Sequence, residues 1–101
     1  MYGKFYNFGI YKAKTEGARE QFVAELTKSG VLSAIRAEKG CLNYEYYFSN
    51  EDKCKIVLFE KWESIEHQKI HMTQPHMATA MEIKGKYIES ATLKKIELSS
   101  L

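Results

Sequence analysis

The chain has 101 residues and a mass of 11.7 kDa, and its 45% hydrophobic content suffices for one modest core and leaves no room for a second domain. Charged residues make up 28%, the formal net charge is +2, and lysines and glutamates are interspersed, which disfavours nucleic acid as a partner. The longest apolar run, "IVLF", is far short of the roughly 20 residues of a membrane span, and the start, "MYGKFYNFG", lacks the basic and apolar regions of a secretory signal, so a single cytoplasmic domain over residues 1–101 is expected.

The first segment, "KFYNFGIYKAK", is rich in aromatic and β-favouring residues and has no internal turn signal, so it is read as a strand. In "TEGAREQFVAELTKSGVLSAIRAEKG" the residues Phe22, Val23, Leu26, Val31 and Ile35 recur near helical spacing. A long helix is predicted there, with Gly30 as a point of bending or breakage and Gly40 as its stop.

Two strands follow, joined around "NED". Alternation in "LNYEYYFS" puts Leu42, Tyr44, Tyr46 and Phe48 on one face. In "CKIVLFEKW" it sets Ile56, Leu58, Glu60 and Trp62 against Val57, Phe59 and Lys61. A strand apolar on both sides is normally covered twice, which points to a homodimer packed through the sheet. The same hairpin separates Cys41 from Cys54 by roughly 20 Å at about 3.4 Å per residue, so both are read as free thiols.

Beyond Trp62, Ser64 is a candidate cap for the helix "IEHQKIHM". Pro75 suits the first turn of a second helix, "PHMATAMEIKGKYIES", with Thr73 as its cap. The chain closes on "ATLKKIEL", a strand with broken alternation. The order β-α-β-β-α-β predicts an α+β, ferredoxin-like domain: a four-stranded antiparallel sheet with helices on one face.

Residues 59 to 77, "FEKWESIEHQKIHMTQPHM", hold the only tryptophan, the only proline and all three histidines. His67 and His71 are four apart on one helix, with His76 across the proline. No HExxH and no carboxylate at a diagnostic offset accompany them, so a metal is not expected. His67 is read as solvent-facing. The helix after Trp62 must fold back over the sheet, bringing His71 near the face that carries Tyr44, Leu58 and Trp62. Aromatic walls with one or two imidazoles suit a flat, weakly acidic aromatic ligand, because imidazole can accept a phenolic proton near neutral pH. Glu60 shares that face, where a hydrogen-bonded structural carboxylate is preferred over a catalytic acid or base. No P-loop, GxGxxG, GxSxG or CxxC occurs.

The runs "EKGCLNYEYYFS" and "IVLFEKWESIEHQKIHMTQPHM" resemble the antibiotic biosynthesis monooxygenase (ABM) domain, especially its small bacterial quinol monooxygenase-like branch. The resemblance rests on Gly40 and Tyr44, on Glu60, Trp62 and Ser64 as E-x-W-x-S, and on His71, Pro75 and His76 as H-x-x-x-P-H. It implies a dimeric α+β barrel and oxidation of an electron-rich aromatic, such as a small hydroquinone, by O₂ without flavin, haem or metal. On that basis His71 is the leading base, His76 its partner or a proton relay, and Tyr44, Leu58, Glu60 and Trp62 the substrate pocket. The haem-degrading branch of the scaffold resembles an asparagine, tryptophan and histidine constellation; Asn7 falls one face out of register for it. Two other readings fit the same residues: a non-catalytic dimeric small-ligand-binding module, and a non-oxidative enzyme such as an isomerase.

Overall fold

The structure, a computed structural model, describes residues 3–96. Its elements are β1 (Phe5–Ala13), α1 (Ala18–Lys28), α2 (Val31–Arg36), β2 (Cys41–Phe48), β3 (Lys55–Trp62), α3 (Ile65–His71), α4 (His76–Tyr87) and β4 (Ile88–Ile96). The strands form one antiparallel sheet in the order β2-β3-β1-β4, the ferredoxin-like arrangement with each helical stretch of the simple pattern split in two.

Both splits have local causes. Gly30 adopts φ 85°, a left-handed conformation that costs glycine little, and the predicted long helix ends at Lys28 and restarts at Val31. The second split falls between His71 and His76. Ser64 caps α3 as predicted, its hydroxyl accepting from the His67 amide. Thr73 does not cap α4: its hydroxyl donates back to the Ile70 carbonyl, and Pro75 itself occupies the cap position. The predicted last helix runs three residues too far, since Ile88 already pairs with Ala13 in β4. The end of the predicted last strand, residues 97–98, lies outside the described residues.

Phe22 and Leu26 of α1, Ile35 of α2, Ile56 and Leu58 of β3, and Trp62 are all but excluded from solvent. Each such side chain contributes about 1.5–3 kcal/mol by burial. The face predicted for β2 is correct at Tyr44 and Tyr46 and fails at Leu42, which is 43% exposed. A bulge between Cys41 and Asn43 shifts the register there, so Cys41, opposite Trp62, takes the inward place. Phe48, at the hairpin end, is also outside the core, beneath the Arg19 guanidinium 4.6 Å from its ring centre. Cys41 and Cys54 are both free.

The helices pack on the face that holds Tyr11, Tyr44 and Trp62, whose rings meet Phe22 of α1, His71 of α3 and Lys84 of α4. The opposite face is apolar at its centre, with Phe59 against Tyr6 and Phe8 at ring separations of 6.1 and 5.3 Å. Of α4 only Ile83 is fully buried, so this helix lies loosely over the sheet and leaves a cavity beneath it. Among the described residues no helix is long and apolar enough to cross a membrane.

Candidate functional site

Strand register builds the floor of the site. Asn7 of β1 and Tyr44 of β2 both stand opposite Glu60 of β3, at one level of the sheet and on its helix-covered face. Glu60 is 4% exposed, and a buried carboxylate needs donors. It has two: the Trp62 indole N–H at 2.9 Å and the Asn7 amide at 3.2 Å. Burial raises the Glu60 pKa; the indole donor, His71 and the Asn7 amide oppose that rise without cancelling it. Asn7 therefore shares the face of Trp62, contrary to the register read from sequence. That does not make a haem-degrading constellation, because the Asn7 amide and the indole are both committed to Glu60 and neither lines the cavity.

The roof comes from α3. Its cap at Ser64 fixes the entry angle, and the last residue of the helix, His71, drops its ring to 4.7 Å from Trp62 and 5.6 Å from Tyr44. His71 is 1% exposed. His67, predicted to face solvent, is half-buried: its Nδ1 lies 2.8 Å from Ser64 Oγ, and its ring fills the space above Gly40.

Glu38, in the turn between α2 and β2, joins the two remaining histidines. Its Oε2 lies 2.9 Å from His71 Nδ1 and 2.6 Å from His76 Nε2. An ionised carboxylate only accepts, so both ring nitrogens carry the proton. This fixes the tautomer of His71 and leaves its Nε2 as the basic atom, which makes no hydrogen bond among the described residues. Glu38 escaped the sequence reading because one glutamate among 13 acidic residues, with no fixed spacing to either histidine, carries no local signal.

The cavity between the sheet and α4 is lined by Tyr44, Glu60 and His71 of the predicted set, by Tyr46, which the alternation of β2 places on the same face as Tyr44, and by Tyr11, Met72, Met77, Met81 and Lys84, which carry no signal of a site in the sequence. Leu58, Trp62 and His76 do not line it; His76 is linked to it through Glu38, which holds the lining His71. Its volume is about 70 Å³, below the roughly 300–1,000 Å³ of a filled ligand site. Admitting a ring requires the lining to give, and the unbranched methionines are its most adaptable parts. Burial pushes the phenols of Tyr44 and Tyr46 well above their ordinary pKa, so they remain neutral donors. The Cys41 thiol is pushed up to about 11 by burial and by Glu38 and Glu60, which leaves it protonated and unreactive. Among the described residues, no three His, Cys, Asp or Glu side chains converge as a metal ion requires.

The family model described as antibiotic biosynthesis monooxygenase matches residues 10–83. No curated protein matches the sequence. Solved structures with the same fold include Rv0793 from Mycobacterium tuberculosis, at 21% identity and a TM-score of 0.80 over 98% of each chain. Protein SO0527 from Shewanella oneidensis is 18% identical with a TM-score of 0.80, over 95% of this chain and 91% of that one. PA3566 from Pseudomonas aeruginosa is 16% identical with a TM-score of 0.78, over 96% of this chain and 95% of that one. At such identities the likeness is one of fold.

Proposed function

Because the chain belongs to the antibiotic biosynthesis monooxygenase family, we propose that it oxidises a small hydroquinone or related phenol with O₂, using His71 as base and no cofactor. The observation that carries this reading is the Glu38–His71 pair at 2.9 Å beside an aromatic-walled cavity. A ring nitrogen held by a carboxylate makes the other nitrogen a better base and steadies the imidazolium once it forms.

The phenolic O–H proton passes to His71 Nε2. The resulting anion gives one electron to O₂, and the ring radical and superoxide combine as a ring peroxide. Proton return and loss of water from the peroxide leave a hydroxyquinone, so that hydroquinone and O₂ become hydroxyquinone and water. Positioning, proton transfer and exclusion of bulk water are the contributions asked of the protein. His76, whose side chain is 23% exposed, links Glu38 to solvent and completes a path for proton exchange. Tyr44 and Tyr46 supply neutral phenolic donors to the ligand oxygens.

The proposal includes a homodimer formed through the outward face of the sheet. The packed rings of Tyr6, Phe59 and Phe8, with Ile10 at 38% exposed, support it, because a sheet face this apolar is stabilised by a second cover. The mechanism is tested by the His71→Ala, His76→Ala double variant. Turnover is expected to fall to the uncatalysed background; turnover at the wild-type rate would remove the mechanism.

A further inference from the structure

The cavity wall carries a cation that the proposed mechanism does not use. Lys84, on the last turn of α4, lines the cavity and holds its ammonium 4.8 Å from the centre of the Tyr11 ring. Its neighbours are otherwise engaged: Lys86 pairs with Glu25 at 2.7 Å, and Lys14 donates to the Gly85 carbonyl at 2.9 Å. The Lys84 ammonium makes no hydrogen bond or ion pair among the described residues. A half-buried ammonium with only an aromatic face for company has lost water without gaining an anion, and burial lowers its pKa accordingly.

The position of Lys84 matters as much as its charge. It sits at the level of Tyr11, whereas His71 sits at the level of Glu60, which Asn7 faces across the sheet. Tyr11 and Asn7 are four residues apart on β1, roughly 13 Å along the strand. The cavity thus has an acidic and basic pole at His71 and Glu60, and a cationic pole at Lys84, with apolar wall between them.

We propose that Lys84 holds an anionic group of the ligand, so that this cavity selects an aromatic compound with a phenolic hydroxyl at one end and a carboxylate at the other. The inference rests on reading this cavity as the ligand site. A neutral hydroquinone leaves Lys84 as it is; a carboxylate at that end replaces the water the ammonium has lost.

Titration calorimetry with para-hydroxycinnamate and its neutral carboxamide, which share shape and phenol, tests this on the intact protein. The wild type is expected to bind the carboxylate about fivefold more tightly than the carboxamide. Lys84→Met should erase that preference while still binding the carboxamide, which also shows that the cavity is intact; Lys84→Arg should retain the preference. Equal affinities in the wild type, the same preference in Lys84→Met, or binding of neither compound would overturn the proposal. Binding needs no turnover, so a carboxylate preference without oxygen uptake would sink the oxidative reading alone. Oxygen uptake without a carboxylate preference would sink this inference alone.

Discussion

The Glu38 carboxylate lies 2.9 Å from His71 Nδ1 across a separation of 33 positions in the chain. One partner comes from the turn before β2 and the other from the end of α3, so only the folded sheet brings them together. On the function proposed above, the pair leaves His71 Nε2 as the nitrogen that takes the substrate proton.

Glu38→Gln should therefore lower kcat by about 10- to 100-fold with a smaller change in KM, because the orienting group acts on proton transfer rather than on ligand contact. Steady-state kinetics on a hydroquinone substrate reads both values. An unchanged kcat would detach Glu38 from the chemistry.

Glu60 makes stability depend on pH in a definite direction. Its pKa in the fold lies above the ordinary 4.5, so between those two values the native state binds more protons than the unfolded chain. Stability then falls as pH rises through that window. Glu60→Gln keeps an acceptor for the Trp62 indole and removes the titration. Urea unfolding across the window should show a decline in the wild type that is flatter in the variant; identical declines would contradict the assignment.

Two glycines separate backbone strain from crowding. Gly30 and Gly40 have φ of 85° and 84°, but a Cβ at Gly30 meets open space, whereas one at Gly40 runs into the His67 ring. Gly30→Ala should cost about 1–2 kcal/mol. Gly40→Ala adds an overpacking cost and should lose about 3 kcal/mol or more. Equal losses by chemical denaturation would show that His67 gives way freely.

The outward sheet face yields a test of association. Phe59→Lys places a charge between Tyr6 and Phe8, and sedimentation should move from twice the 11.7 kDa chain mass to the chain mass itself. A monomeric wild type, or an undisturbed dimer in the variant, would remove that interface.

Much of this was legible from local pattern. Alternation in β3 put Glu60 and Trp62 on the covered face, and the cap at Ser64 with the spacing to His71 placed an imidazole over them. What escaped depended on register or on long-range contact. Asn7 was misplaced because β1 is apolar on both faces, so alternation alone cannot orient it; pairing with Glu60 does. Leu42 was misplaced because a bulge leaves no mark in composition. Arg19 gave no signal either, yet it is largely buried and its Nη1 donates to the carbonyls of Ser49, Asp52 and Lys55, tying α1 to the hairpin. Glu38 and Lys84 carry no local signal in the sequence, and it is the turn before β2 and the packing of α4 that give them their places.

The most direct test of the central claim is oxygen consumption by metal-stripped, flavin-free protein with a panel of hydroquinones, each corrected for uncatalysed autoxidation. The account predicts saturable uptake with at least one of them, abolished in His71→Ala. Uptake no faster than autoxidation across the panel, or saturable uptake that His71→Ala leaves intact, would contradict it.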